Sequence, residues 1–273
     1  MLASFLIVFR EVIEAGLIAG IVLAAARGVA GRITWVTIGI GGGIVGALLV
    51  AVFASRIAAQ FSGAGAELFN AAILLLAVVM LTWHNVWMAS HARELVGEAR
   101  NVSAAVASGE RTLSALALVV GIAVLREGSE VVLFLYGIAS QGGSSPASLL
   151  GGGAFGVVAG AGLSAVIYFG LVAIPVRRFF AATSGIITLL AAGMAAQAVL
   201  FVQQGGYGEV LTDTVWDTSG ILPQDSILGR VLHTLVGYSD APNGAQLVVY
   251  MGTITLIVTL MQWQKRGEGA HRA

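Results

Sequence analysis

The chain has 273 residues, of which 58% are apolar and only 10% are charged, and its mean hydropathy is +0.92. This composition is typical of an integral membrane protein and excludes an ordinary soluble domain. The formal net charge of zero argues against nucleic acid as a partner. The absence of cysteine excludes disulfides, thiolate metal sites and thiol redox chemistry.

Apolar runs of roughly 20 residues are needed to cross about 30 Å of hydrocarbon as a helix. The chain has seven such runs, which predict an all-α membrane protein with spans at about 2–25, 33–54, 68–90, 113–138, 149–174, 181–203 and 244–263. The first run is not a cleavable signal peptide, because no basic region precedes it and three charged residues lie within it. Small residues at four-residue spacing predict close packing between helices, namely Gly16/Gly20, Gly39/Gly43, Gly42/Gly46, Gly152/Gly156 and Gly156/Gly160.

The distribution of Lys and Arg between the loops predicts the orientation of the chain. One side receives ten of them: Arg27, Arg32, Arg93, Arg100, Arg111, Arg177, Arg178, Lys265, Arg266 and Arg272. The other side receives only Arg56 and Arg230. We therefore expect a multi-pass protein of the cytoplasmic membrane, with its N-terminus outside and its C-terminus in the cytoplasm.

The chain also repeats itself at a nearly constant offset. An Arg-Glu-x-x-Glu motif begins at Arg10 and again at Arg126, 116 residues later, and the Gly-rich stretch 41–46 returns at 151–156. These matches predict a single permease domain over 1–273, in which repeat one (about 1–90) is followed by an inverted repeat two (about 113–203). An external acidic segment (about 204–243) and a seventh span (about 244–263) complete the domain. The stretch at about 91–112, which mixes both charge signs, is predicted to be a short, solvated helix or loop on the cytoplasmic side. Inverted repeats of this kind place a substrate site near the midplane, where the repeats meet.

The two motifs are the strongest functional signal. Glu11 and Glu14 are three residues apart, as are Glu127 and Glu130, so that each pair lies on one helical face. Each Arg, at position 10 or 126, precedes the second Glu of its motif by four residues and can form an ion pair with it. Charged groups inside an apolar span are costly and are usually paired or functional. If spans one and four meet, the four carboxylates form one site for a hard cation.

The residues leave several interpretations open. Carboxylates alone do not distinguish Fe(III) or Fe(II) from Mn(II), Mg(II) or Ca(II). A permease for another divalent cation is therefore an alternative. A second alternative is a non-transporting subunit of a membrane assembly, in which the motifs are structural ion pairs. An enzyme is not expected, because the sequence has no zinc-protease motif, catalytic triad or nucleotide-binding loop.

Both motifs resemble the Arg-Glu-Gly-x-Glu signature of the oxidase-dependent iron transporter family, which includes fungal high-affinity iron permeases and bacterial EfeU-type permeases. The resemblance covers essentially the whole chain, including the patches at 216–219 and 237–242. Val12 departs from the signature Gly in the first copy, and Ser129 from the usual Leu in the second. The resemblance implies an iron permease in which Glu11, Glu14, Glu127 and Glu130 handle the metal and Arg10 and Arg126 support them.

The remaining expectations concern cargo, partners and weaker sites. Iron is expected as the transported substrate, with no prosthetic cofactor. The expected partners are the lipid bilayer and an external ferroxidase or iron-binding protein, with a homo-oligomer as an open alternative. Asp213, Asp217 and Asp225 are candidates for cation capture outside the membrane. His84 is interpreted as an interfacial histidine near the end of the third span, beside the belt residues Trp83 and Trp87.

Overall fold

The fold was analysed in a computed structural model, which describes residues 1–60, 66–140, 145–170, 176–208 and 210–270. Within these residues it contains eight helices: α1 (Leu2–Ala25), α2 (Arg32–Gln60), α3 (Ala66–Ala107), α4 (Ser114–Ser140), α5 (Pro146–Tyr168), α6 (Val176–Gln204), α7 (Ile227–Val236) and α8 (Gly244–Ala270). The protein is therefore all-helical in the described part, as predicted. The predicted span residues 171–174, and Arg272 of the charge count, lie outside it.

Among the described residues, five helices are long and apolar enough to cross a membrane, namely α2, α3, α5, α6 and α8. The predicted spans one and four fall on α1 and α4, which have 24 and 27 residues but each carry the three charges of a motif. Together with the composition, the five apolar helices make this a multi-pass membrane protein.

Two elements differ from the sequence prediction. The third span was expected to end near residue 90 and to be followed by a cytoplasmic loop or short helix, but α3 continues without a break to Ala107. The segment between α6 and α8 contains the unpredicted helix α7. The Ser226 hydroxyl caps its first turn by accepting a hydrogen bond from the Gly229 N–H, and Gly237 ends it in the left-handed conformation.

The helices pack in pairs, and glycines set the closest approaches. Helix α1 packs along α5, α4 along α2, and α3 along α6. A Cβ atom at Gly156 or Gly160 would collide with the α1 backbone, and one at Gly39 would collide with the backbone of Ala117 on α4. The predicted role of these small residues in helix packing is thus confirmed. At Gly42, by contrast, a Cβ atom would meet open space, so the predicted packing role is wrong for this residue.

Two apolar clusters fill the interior, one toward each end of α1. We call the first the Leu74 cluster; its fully buried members are Ala3, Ile7, Leu74, Ala77, Leu81, Phe134, Ile138, Leu149, Ile187, Leu190, Ala191, Met194, Ala198 and Ile257. We call the second the Val22 cluster; its members are Ala19, Val22, Ala26, Val36, Ala99, Val106, Leu116 and Val120. The start of α1 and the end of α4 share the first cluster, and the reverse ends share the second. The two helices are therefore antiparallel, and the motif residues lie between the clusters.

Candidate metal centre

The first motif forms a buried ion pair on α1. Arg10 Nε lies 2.9 Å from Glu14 Oε1, and Arg10 Nη1 lies 3.7 Å from Glu11 Oε1. The three side chains are at most 3% exposed. One helical turn separates Arg10 from Glu14, so the i,i+4 pair predicted from the spacing is present.

The second motif repeats this arrangement on α4 with a more open arginine. Arg126 Nε lies 3.3 Å from Glu130 Oε1 and 3.9 Å from Glu127 Oε1, and the side chain of Arg126 is 31% exposed. Its guanidinium carbon lies 4.5 Å from the ring centroid of Trp87 on α3, which is a cation–π contact. The two predicted Arg–Glu pairs are alike in spacing but differ in solvent access.

A histidine connects the two motifs. His84 on α3 is 1% exposed; its Nε2 lies 3.2 Å from Glu14 Oε2 and its Nδ1 lies 2.5 Å from Glu130 Oε2. The interpretation of His84 as an interfacial residue is therefore wrong. It failed because packing decides the surroundings of His84: the apolar stretch of α3 does end nearby, at Trp87, but the ring lies between Glu14 on α1 and Glu130 on α4.

The arrangement of these groups is typical of a cation site. Glu11, His84, Glu127 and Glu130 each offer one ligand atom, and these atoms all lie within 4.8 Å of one another; no second group of this kind occurs among the described residues. In the described part of the chain, both oxygens of Glu11 and Oε2 of Glu127 have no hydrogen-bond partner. Buried carboxylate oxygens without hydrogen bonds are costly unless a cation or another donor satisfies them.

The external acids do not join this group. Asp213, Asp217 and Asp225 are exposed in the segment between α6 and α8, away from the buried cluster. Asp217 accepts a hydrogen bond from the Ser219 N–H at 2.9 Å, and hydrogen bonds from the Ser219 side chain and backbone lower the pKa of Asp217 below its ordinary value. This residue therefore carries its negative charge over the whole physiological pH range.

Residues 1–266 match the model of the Iron permease FTR1 family. The chain belongs to this family. It is 30% identical over 281 residues to the ferrous iron permease EfeU of Escherichia coli O6:H1, with 100% of both chains covered. The EfeU proteins of Yersinia pestis and Shigella sonnei are each 31% identical, covering 92% of this chain and 89% and 91% of their own.

No solved structure matches the chain. The family assignment agrees with the resemblance inferred from the motifs, and it places the protein among transporters and not among enzymes. His84 is the member of the buried cluster that sequence reasoning missed. The signal that could have found it is the polar pair His84-Asn85 within a helix whose neighbouring turns are apolar.

Proposed function

We propose that this chain is a permease that moves ferrous iron across the cytoplasmic membrane into the cell. The observation that carries the proposal is the convergence of both Arg-Glu-x-x-Glu motifs on one buried cluster of cation ligands. A structural role for the motifs would need only the two Arg–Glu pairs. It would not explain why Glu11 and Glu127, which lie farther from the arginines at 3.7 and 3.9 Å, also point into the same space.

Charge supports Fe(II) as the cargo over Fe(III). Four ionised glutamates and two arginines give the two motifs a formal charge of −2 when His84 is neutral. A divalent cation neutralises this charge, whereas a trivalent one leaves an excess of +1 in a low-dielectric interior, where unbalanced charge is costly. The EfeU relatives are named ferrous iron permeases, which agrees with this choice.

The packing of the helices supports a transport site between inverted repeats. In a protein with two inverted three-helix repeats and a seventh span, α1 corresponds to α4, α2 to α5 and α3 to α6. The symmetry operation then exchanges the α1–α5 contact with the α4–α2 contact, and both contacts are present. The two apolar clusters that flank the motif residues suit a site that opens to one side of the membrane at a time.

The proposal also covers the orientation of the chain in the membrane and the capture of cations outside the cell. The uneven distribution of Lys and Arg supports an external N-terminus and an external position for the segment between α6 and α8. There, Asp213, Asp217 and Asp225 raise the local concentration of cations. Replacing all three by Asn should raise the KM for iron and leave the maximal rate nearly unchanged, and a fall in maximal rate at constant KM would contradict a capture role. Delivery of iron by an external ferroxidase or iron-binding protein stays a prediction.

The proposal is tested by uptake of radioactive iron into proteoliposomes that contain the purified protein and no other. Fe²⁺ held reduced by ascorbate should enter, and Fe³⁺ supplied as citrate should enter far more slowly. Glu11→Gln and Glu127→Gln should each reduce Fe²⁺ uptake by about tenfold or more, because each removes a buried ligand charge with little change in volume. Glu67→Gln, at an exposed position of α3, is the matched control and should transport normally.

The possible outcomes separate the alternatives. Uptake of Mn²⁺ or Mg²⁺ in preference to Fe²⁺ would identify a permease for another divalent cation. No metal uptake by correctly folded protein would favour the membrane assembly subunit. Normal Fe²⁺ uptake by both Gln variants would contradict the carboxylate site itself.

A further inference from the structure

The His84 ring lies between the two motifs with both of its nitrogens facing carboxylates. Nδ1 faces Glu130 on α4, and Nε2 faces Glu14 on α1, with Glu11 Oε2 farther away at 3.9 Å. A neutral imidazole has one N–H donor and one nitrogen with a free lone pair. In this position, the ring can donate a hydrogen bond to one motif while it offers a lone pair at the other.

The two glutamates that His84 faces differ in their other contacts. Glu130 belongs to the set whose ligand atoms lie within 4.8 Å of one another, together with Glu11, Glu127 and His84 itself. Glu14 is outside this set. Its Oε1 lies 2.9 Å from Arg10 Nε, and its Oε2 lies 3.2 Å from His84 Nε2, so both of its oxygens face protein groups.

We propose that His84 binds the transported cation through Nδ1, and that Glu14 is a positioning residue that accepts the Nε2–H and does not bind the metal. This inference rests on the proposed function and changes its ligand set from four glutamates to three glutamates and one imidazole. Histidines that bind metals commonly donate their second N–H to a carboxylate, which fixes the tautomer and the orientation of the ring. Arg10, Glu14 and His84 are arranged in this order, with Arg10 Nε 2.9 Å and His84 Nε2 3.2 Å from the two Glu14 oxygens.

The neighbouring residue on α3 holds the ring in place. Asn85 accepts a hydrogen bond from the Ser184 hydroxyl on α6 at 2.6 Å and donates to Thr188 Oγ1 at 3.2 Å. Both Asn85 and Thr188 are buried. These bonds fix the rotation of α3 against α6, and therefore the direction in which His84 points.

An imidazole ligand determines the class of cation. Mg²⁺ and Ca²⁺ prefer sites made only of oxygen, whereas Fe²⁺ and the later first-row divalent metals accept imidazole nitrogen readily. Four carboxylates would bind all of these ions with little distinction. His84 therefore assigns this site to divalent transition metals and lets it reject the hard divalent cations.

The test is iron K-edge X-ray absorption on the full-length protein in nanodiscs, loaded anaerobically with Fe²⁺ alone. An imidazole ligand adds the characteristic outer-shell scattering of its ring carbons, which carboxylates lack. This signal should be present in the wild type and absent in His84→Gln. A control variant in which His91, His233 and His271 are all replaced by Gln should keep it, because His84 is then the sole histidine of the chain.

Metal affinity provides a second readout. His84→Gln should weaken Fe²⁺ binding by about tenfold to a hundredfold and change Mg²⁺ binding by less than about threefold. Glu14→Gln should weaken Fe²⁺ binding but keep the imidazole scattering, because its amide oxygen can still accept the Nε2–H. If Glu14→Gln instead abolishes Fe²⁺ binding as completely as Glu127→Gln does, Glu14 is a ligand and that assignment is wrong.

The failure of this inference is distinguishable from failure of the proposed function. Wild-type protein that binds Fe²⁺ with oxygen scatterers only, and loses it in Glu127→Gln, would overturn the role of His84 and leave the carboxylate site standing. Wild-type protein that binds no Fe²⁺ would overturn both.

Discussion

At the scale of single residues, the two arginines occupy the same position in their motifs but lie in different environments. Arg10 is almost fully enclosed, with its guanidinium between Glu11 and Glu14. Arg126 is about one-third exposed and stacks on Trp87. The cost of losing a charge partner is large where the remaining charge is buried and small where water can replace the partner.

This difference predicts unequal effects of the same substitution. Arg10→Gln should lower the free energy of unfolding by about 3–5 kcal/mol, because it leaves a buried carboxylate without its cation. Arg126→Gln should cost about 1–2 kcal/mol, from a partly screened pair and one cation–π contact. Denaturation of the two variants in mixed micelles measures the difference. Equal losses would show that burial does not set the strength of these pairs.

Sequence reasoning at this scale succeeds for the charged residues and fails for His84. Three- and four-residue spacings on one helix determine which side chains share a face, so the Arg–Glu pairs follow from the sequence alone. His84 comes from a third helix, and no periodicity links it to either motif. Its position depends on how α3 packs against α6, through residues such as Asn85 and Ser184 that are 99 apart in the sequence.

At the scale of elements, some glycines of α2 pack tightly against α4 and others face open space. On α2, a Cβ atom at Gly39 would collide with the backbone oxygen of Ala117, and one at Gly43 would collide with Val124 and the Gly121 oxygen, all on α4. At Gly42 no atom lies within 4 Å of such a Cβ. On the face that carries Gly39 and Gly43, the backbone of α2 is thus in direct contact with the backbone of α4, the helix that carries the second motif.

Alanine substitutions on α2 should therefore change the stability of the protein in opposite directions, depending on the position. Gly39→Ala and Gly43→Ala should each destabilise the protein by about 1–3 kcal/mol, because the added methyl group has no space. Gly42→Ala should stabilise α2 by up to about 1 kcal/mol through helix propensity. Thermal denaturation and Fe²⁺ uptake are the measurements. A loss of stability in Gly42→Ala as large as in Gly39→Ala would contradict the packing of α2 against α4.

Hydropathy located the long apolar helices but not their full extent. The second half of α3 carries charged residues such as Glu94, Glu98 and Arg100, and this polarity was interpreted as a solvated connection. Helix α7 has only ten residues, too few to stand out from the segment around it. Both elements depend on tertiary contacts, which a hydropathy pattern does not contain.

At the scale of the whole molecule, orientation follows from charges at the membrane surfaces, and it can be tested because the chain has no cysteine. Ser219, in the segment between α6 and α8, and Ser108, between α3 and α4, are both exposed. Ser219→Cys should react with an impermeant maleimide on intact cells. Ser108→Cys should react only after the membrane is permeabilised. Ser4 is unsuitable for such labelling, because it is fully buried and its hydroxyl donates to the Met1 carbonyl oxygen.

The labelling experiment has a clear contrary result. If Ser108→Cys reacts on intact cells and Ser219→Cys does not, the chain is inverted, and the segment with the exposed aspartates faces the cytoplasm. The cysteine-free parent protein controls for background reaction, and Fe²⁺ uptake by each variant confirms that the labelled protein is native.

The apolar clusters on either side of the motif residues also have an electrical consequence. The buried members of the Leu74 and Val22 clusters carry hydrocarbon or thioether side chains, which do not themselves relay protons. A membrane potential of 100 mV corresponds to about 2.3 kcal/mol per elementary charge, and so to about 4.6 kcal/mol for a divalent cation that moves inward. That energy equals an accumulation of roughly 2,000-fold at equilibrium. If the chain carries Fe²⁺ inward, as proposed, the membrane voltage alone supports this accumulation.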